Sequence, residues 1–97
     1  MIKSFRSKGT EDLFNGDDTR AARRVCPQQI QPVARRKLIL LNAAALLKDL
    51  TAPPSNRLES LKGDREGQHS IRINEQYRIC FVWTGQDAEN VEIVDYH

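Results

Sequence analysis

The chain has 97 residues, with 15 basic and 13 acidic side chains and a formal net charge of +2. A chain of this length supports one hydrophobic core, so we treat residues 1–97 as a single domain. The longest apolar run, over residues 38–47, is interrupted by Asn42 and is much shorter than the ~20 residues of a membrane span. The opening residues lack the apolar core of a secretory signal. We therefore expect a cytoplasmic protein in which Cys26 and Cys80 are reduced thiols.

Short elements are predicted over the first thirty residues. Residues 2–5 are predicted to form a first strand. Thr10 is predicted to cap a short helix, and Gly16 is predicted to end it. Residues 19–25 favour a second helical segment, which Pro27 interrupts because proline lacks a backbone N–H.

A long helix is the clearest prediction in the middle of the chain. It is predicted to begin near residues 29–31, to tolerate Pro32 in its first turn, and to run to Leu50, before Pro53 and Pro54. Apolar residues recur at steps of three and four and form one broad face: Val33, Ala34, Leu38, Leu40, Leu41, Ala44, Ala45 and Leu47. Such a face predicts a helix laid across a sheet.

Three strands that alternate in polarity are predicted in the last third of the sequence. Their ranges are residues 69–73, 77–83 and 91–96, joined by turns at 74–76 and 84–87 and preceded by a connector at 56–61. A strand, then helices, then a meander is the order of an α+β fold. We expect the N-terminal strand and the helices to pack on a mainly antiparallel sheet.

Arg78 is a candidate phosphate-binding residue because of its place in the second of these strands. Alternation puts it on the face opposite Tyr77, Ile79, Phe81 and Trp83. If the long helix covers the aromatic side, Arg78 projects from a rigid strand on the open side. The fork of a guanidinium matches two phosphate oxygens at once. The alternative from the pattern alone is a salt bridge at the sheet, for example to Glu92.

The last three residues, Asp95, Tyr96 and His97, combine a carboxylate, a phenol and an imidazole. Imidazole is the side chain best matched to proton transfer near neutral pH. A frayed chain end without a role is the alternative interpretation. A metal site built from His69, His97 and Cys80 lacks the close ligand spacing of zinc sites, so we expect no metal.

The motifs Leu61–Gly67, Ser70–Ile71, Tyr77–Phe81 and Asp95–His97, with the opening Met1–Phe5, resemble the HigB-type plasmid-maintenance killer toxins of the RelE superfamily. The resemblance covers almost the whole chain and is weakest between residues 15 and 30. It implies a small RelE-like, microbial-RNase-like α+β fold and a metal-independent endoribonuclease without a cofactor. Members of this family cut messenger RNA in the ribosomal A site and so inhibit translation.

The resemblance also implies partners. A cognate helix-turn-helix antitoxin of the HigA type would block the toxin and repress the shared operon, so that DNA is contacted only through the complex. The ribosome and its messenger RNA would be the other partners, and no membrane is involved.

By position, Arg78 matches the catalytic arginine of the family, and Asp95, Tyr96 and His97 match its C-terminal active-site residues. In this interpretation Arg78 stabilises charge on the phosphoryl group and His97 is the main proton-transfer group. Asp95 would orient it or act as base, and Tyr96 would position the phosphate.

Substrate-binding residues follow from the same resemblance. Lys62 and Gln76 fall where members contribute groups near the RNA, and Lys62 and Arg65 would hold the RNA backbone. Glu59 stands where some members carry a histidine, so either Glu59 is catalytic or His97 acts with less help.

Two other functions remain open from the sequence. The first is a gyrase-directed toxin of the same fold, against which the acid–base cluster of residues 95–97 argues. The second is a non-catalytic RNA- or protein-binding module in which Arg78 only clamps a phosphate.

Overall fold

The computed structural model describes residues 1–96, and the helices and strands within that range form an N-terminal helical half and a C-terminal sheet. The helices are α1 (Lys8–Asn15), α2 (Arg20–Val25) and α3 (Gln31–Ala43). The strands are β1 (Glu59–Ser60), β2 (Gln68–Arg72), β3 (Tyr77–Trp83) and β4 (Ala88–Asp95). Short 3-10 turns lie at Gln28–Ile30, Leu47–Thr51, Pro54–Asn56 and Gly63–Arg65.

The strands of the described range form one antiparallel sheet in the order β1-β2-β3-β4. The predicted α+β fold is confirmed, and the predicted strand at residues 77–83 has the bounds that the pattern indicated. Glu59 and Ser60, predicted as part of a connector, instead pair with Ser70 and His69. A two-residue strand is too short for alternation to be visible in the sequence.

The N-terminal segment lies beside β4 but pairs with it only at two isolated positions. Ile2 and Phe5 form parallel bridges to Ala88 and Val91. The prediction of a strand at residues 2–5 is therefore correct in place, while the regular pairing of a full strand is absent there.

The cap of α1 differs from the prediction. Ser7, rather than Thr10, is the N-cap residue, and its side chain accepts a hydrogen bond from the Thr10 backbone N–H. Thr10 is fully buried, and its hydroxyl oxygen accepts a hydrogen bond of 3.1 Å from the Ile93 backbone N–H. Thr10 thus joins α1 to β4, and Gly16 ends the helix in the left-handed conformation with a φ of 82°.

Helix α3 is shorter than predicted because the chain breaks before the two prolines. It ends at Ala43, and Ala44 is extended, with a ψ of 127°. The carboxylate of Asp49 accepts hydrogen bonds from the backbone N–H groups of Ala45 and Leu46. These bonds cap a separate 3-10 turn at Leu47–Thr51, so the prediction of a helix to Leu50 is wrong.

The core lies between the helices and one face of the sheet. Its fully buried side chains include Leu38 and Leu41 from α3, and Ile79 and Phe81 from β3. The predicted apolar face is confirmed within α3 by buried Ala34, Leu38 and Leu41, whereas Ala45, which was predicted to belong to it, lies beyond the helix and is exposed. No helix formed by residues 1–96 has the length and apolar character needed to cross a bilayer.

Candidate active site

A polar group of side chains lies on the face of the sheet that points away from the core. In an antiparallel sheet, directly opposite residues share a face, and the register therefore groups these side chains. They are Glu59, Ser70, Arg72, Arg78, Cys80 and Glu92, and the apolar Val94 lies on the same face. The predicted separation of Arg78 from Ile79 and Phe81 is confirmed.

Arg78 is held in place by two contacts. It is only 8% exposed. Its Nη2 donates a hydrogen bond of 2.6 Å to the Arg57 carbonyl oxygen, and its Nη1 lies 3.3 Å from Glu59 Oε1. Its Nε is buried and has no hydrogen-bond partner among residues 1–96. The salt bridge foreseen as an alternative forms with Glu59, not with Glu92, and it leaves a donor of the guanidinium unused.

Tyr96 lies beside Arg78, with its ring centroid 5.6 Å from Arg78 Cζ. This distance is within the range of a cation–π contact. Tyr96 is 38% exposed, so the ring forms a wall that solvent and ligands reach. Alternation along the chain places Tyr96 on the face of Val94, the cross-strand neighbour of Arg78.

A cleft of about 310 Å³ opens over these two side chains. Its lining residues are Arg57, Arg72, Asn74, Glu75, Arg78 and Tyr96. We call this cavity the Arg78 cleft. It combines guanidinium groups, an aromatic ring and an amide, which are the groups that bind a phosphate and the nucleotide attached to it.

Asp95 and Gln76 meet at the edge of the cleft rather than inside it. Asp95 pairs with Tyr77 in the register and so falls on the other face of the sheet from Arg78. Gln76 Nε2 donates a hydrogen bond of 3.1 Å to Asp95 Oδ2, and the Tyr96 N–H donates one of 2.6 Å to the Gln76 carbonyl oxygen. These contacts attach the end of β4 to the β2–β3 turn and thereby position Tyr96.

The remaining member of the predicted terminal set, His97, lies outside the described residues. Its role in proton transfer stays a prediction, as does the distance that would separate its imidazole from Arg78.

Arg65, predicted to bind the RNA backbone, has its charge occupied by an acidic neighbour. Its Nη1 lies 2.8 Å from Glu92 Oε1 and 3.1 Å from Gln68 Oε1. The other oxygen of Glu92 lies 3.4 Å from Arg6 Nε. We call Arg6, Arg65 and Glu92 the Glu92 cluster. Partial burial lowers the pKa of Arg65, but the hydrogen bond and the charge of Glu92 raise that pKa by more, so the net shift is upward.

Lys62 and Glu59 differ in the solvent exposure and the contacts of their side chains. Lys62 is exposed and precedes the 3-10 turn at Gly63–Arg65, where an incoming polyanion can reach it. Glu59 lies on β1 with its side chain 50% exposed and in contact with Arg78. Its carboxylate therefore lies on the same face of the sheet as Arg78, and a catalytic role for Glu59 stays a prediction.

Neither cysteine has the character of a nucleophile. Both are buried free thiols. Burial raises the pKa of Cys26 to about 11 and also raises the pKa of Cys80, for which burial is the largest cause. Within residues 1–96, no three His, Cys, Asp or Glu side chains are placed to share a metal ion, and the metal-independent chemistry stays a prediction.

Arg57 and Arg72 line the cleft although sequence reasoning assigned them no role. The signal for Arg72 was its alternation with Ile71 and Ile73, but its position opposite Arg78 depends on the register of the hairpin. That register is set at the turn, where the Asn74 side chain accepts hydrogen bonds from the backbone N–H groups of Gln76 and Tyr77.

Comparison with known proteins gives a consistent picture. A family model described as the RelE-like toxin of the type II toxin–antitoxin system HigB matches residues 3–97. The chain is 41% identical over 90 residues to Toxin HigB-1 of Vibrio cholerae, covering 93% of this chain and 92% of that protein. It is 34% identical over 97 residues to Endoribonuclease HigB of Proteus vulgaris, covering 100% of both.

A solved structure adds support for the fold alone. The YoeB–YefM toxin–antitoxin complex from Staphylococcus aureus contains a chain that superposes with a TM-score of 0.59 at 13% sequence identity. The match covers 100% of this chain and 98% of that chain. The RelE-like fold suggested by the sequence motifs is therefore confirmed.

Proposed function

The chain belongs to the HigB-like family of RelE-like toxins of type II toxin–antitoxin systems, and on this premise we propose that it is a toxin that inhibits translation by cleaving ribosome-bound messenger RNA. The observation that carries the proposal is Arg78, a nearly buried guanidinium fixed at the base of an open polar cleft beside Tyr96. Such a charge suits a phosphodiester.

RNA cleavage without a metal needs three things from the protein. The 2′-oxygen attacks the adjacent phosphorus and loses its proton to a base, while the bond to the 5′-oxygen breaks and an acid protonates that oxygen. Negative charge grows on the non-bridging phosphoryl oxygens, and a fixed cation stabilises it.

Arg78 supplies that cation. Two of its nitrogens are held by Arg57 and Glu59, so the guanidinium need not reorganise as charge develops on the phosphate. The N–H bonds of Nη1 and Nη2 that these contacts leave unused are the donors for the phosphoryl oxygens, whereas Nε is buried. Removing one donor of this kind typically lowers kcat by about 10²- to 10³-fold.

We assign the main proton transfer to His97 and the placement of the phosphate to Tyr96. Asp95 and Gln76 keep the end of β4 against the β2–β3 turn and so position Tyr96. Glu59 positions Arg78 and is the alternative general base, because its half-exposed carboxylate lies on the cleft side. Lys62 binds the RNA backbone beside the cleft, whereas the charge of Arg65 is paired with Glu92.

A set of groups this small is expected to be slow on free RNA. A ribosome that orients the message supplies the missing alignment, since correct positioning alone can account for about 7–11 kcal/mol of a barrier. This is the reason for proposing ribosome-bound message, in the cytoplasm, as the substrate.

An antitoxin is the other proposed partner. The YoeB–YefM structures, in which the related fold was solved with an antitoxin, support a toxin–antitoxin pair. We propose a helix-turn-helix, HigA-like partner that blocks the cleft and contacts operator DNA, so that the toxin meets DNA only through the complex.

The proposal is tested by inducing the protein in cells and mapping the 5′ ends of messenger RNA. New cuts within translated regions are expected with the natural chain and are expected to disappear with Arg78→Ala. Arg24→Ala, at an exposed arginine of α2, is the matched control and should cut normally. Intact messages with DNA damage would instead indicate a gyrase-directed toxin, and unimpaired growth would indicate a binding module.

A further inference from the structure

Arg72 and Arg78 are directly opposite each other in the β2–β3 hairpin. Side chains at such positions have Cβ atoms about 4.5–5.5 Å apart, and like charges there are destabilising. The pair lies on the face of the sheet that forms the Arg78 cleft. Both arginines nevertheless line the same small cleft, despite the repulsion between their charges.

The acidic neighbours compensate these charges unequally. Glu59 contacts Arg78. Arg72 has only Glu75, at 4.0 Å, as an ion-pair partner among residues 1–96, and the Glu75 side chain is 95% exposed. An ion pair that long and that exposed contributes little. Most of the charge of Arg72 is therefore left for a ligand in the cleft.

Arg57 is a third arginine among the residues that line the cleft. Its backbone has a φ of 46°, a left-handed conformation that few non-glycine residues adopt. The carbonyl oxygen of Arg57 accepts the 2.6 Å hydrogen bond from Arg78. An unusual backbone conformation held by a site residue is an observation from which function can be inferred. Here it ties the rim of the cleft to its base.

We propose that Arg57 and Arg72 form a second phosphate subsite, which binds the phosphate next to the one held by Arg78 and Tyr96. The inference rests on the proposed ribonuclease function and deepens it, because successive phosphates of one strand would then occupy one cleft. It also replaces Arg65 as the backbone-binding arginine, since the charge of Arg65 is already paired with Glu92 at 2.8 Å.

The test measures how binding of a short single-stranded RNA depends on salt, using an oligonucleotide with 2′-O-methyl groups so that no cleavage occurs. For a single strand, each phosphate that the protein neutralises adds about 0.7 to the steepness of log Kobs against log salt concentration. Arg72→Ala and Arg57→Asn should each flatten the slope by about that amount. Asparagine is chosen at position 57 because it tolerates a left-handed backbone.

Three comparisons make the result specific. Arg24→Ala should leave the slope unchanged. Arg72→Lys should keep it, because the charge remains. Single-stranded DNA of the same length should show the same flattening with Arg72→Ala, because the binding is to phosphate and not to the 2′-hydroxyl.

An unchanged slope in both Arg72→Ala and Arg57→Asn would overturn the subsite, and so would an equal flattening in Arg72→Lys. Neither result would affect the ribonuclease proposal if the natural chain still cuts message. Conversely, a natural chain that cuts nothing but shows the expected slopes would keep the phosphate subsite and remove the ribonuclease.

Discussion

The Arg78 cleft and the Glu92 cluster lie on the same face of one sheet and use arginine in opposite ways. In the Glu92 cluster a single carboxylate, 13% exposed, meets Arg6 through one oxygen and Arg65 through the other. In the cleft, Arg57, Arg72 and Arg78 share a space with solvent-exposed Glu75. Half-exposed Glu59 contacts Arg78 from beside the cleft. The number and burial of nearby carboxylates thus separate an arginine that stabilises the fold from one that is available to a ligand.

The Glu92 cluster also gives the loop before β2 its position. It links the N-terminal segment, the turn at Gly63–Arg65 and the middle of β4. A loop fixed in this way holds the exposed Lys62 beside the sheet without using its charge. The fold and the site can therefore be changed separately by substitution.

The largest effect on cleavage is expected from replacing arginine by lysine, and the same replacement is made in each region in a separate variant. Arg78→Lys should lower single-turnover cleavage of ribosome-bound message about 10²-fold, because an ammonium lacks the fork that contacts both the phosphate and its supports. Arg65→Lys should change cleavage only a few-fold, since an ammonium can still pair with Glu92. Equal effects in the two variants would contradict the difference between the regions.

A smaller effect, on stability, is expected in the Glu92 cluster. Glu92→Gln should lower the free energy of unfolding by about 1–2 kcal/mol, because Arg65 loses a charged hydrogen bond and Arg6 loses its ion pair. Each kcal/mol corresponds to a midpoint about 4–8 °C lower for a domain of this size. Thermal unfolding followed by circular dichroism measures it.

The control for that variant is cleavage measured well below the unfolding midpoint, which should stay close to the natural rate. A large drop in the activity of folded Glu92→Gln would place the Glu92 cluster in the mechanism.

A substitution of Glu59 tests the comparison further, because Glu59 is the carboxylate that contacts Arg78. In Glu59→Gln the amide oxygen still accepts the hydrogen bond from Arg78 Nη1, so cleavage should fall by less than about 10-fold, whereas removing a general base typically costs about 10²- to 10⁴-fold. RNA binding should tighten, because a negative charge next to Arg78 is removed. A decrease beyond about 10²-fold would make Glu59 the general base in place of His97.

The smallest expected effect concerns the free energy of unfolding, which the repulsion between Arg72 and Arg78 is expected to lower. Arg72→Ala should leave the thermal midpoint unchanged or raise it, with an increase in stability of less than about 1 kcal/mol, because a like-charge pair across β2 and β3 is relieved. A clear fall in the midpoint would show that Arg72 stabilises the hairpin.

Much of the fold follows from local patterns. The bounds of β3 and the apolar face of α3 were predicted because alternation and helical periodicity are strong over those residues. The end of α3 was missed because the Asp49 carboxylate, which binds the backbone of residues 45 and 46, competes with helix continuation through a side-chain contact. Likewise β1 exists only because β2 is available to pair with it.

The candidate site was predicted in part, for reasons that differ by residue. Arg78 was identified because alternation alone assigns its face. The assignment of Arg65 to RNA stays a prediction, but the sequence did not reveal its ion pair with Glu92, which lies on a strand 27 positions later. Asp95 was grouped with Tyr96 as a neighbour in sequence, whereas the register with Tyr77 places it on the other face.

By itself, the sequence determined the α+β class, the family and the strand face of Arg78, because these depend on the periodicity and identity of neighbouring residues. Only the tertiary structure decided which charges meet: Glu59 with Arg78, Glu92 with Arg65, and Arg72 opposite Arg78. The physical reason is that the strength of an ion pair depends on distance and burial, and strand register, which determines both here, is a property of the folded sheet.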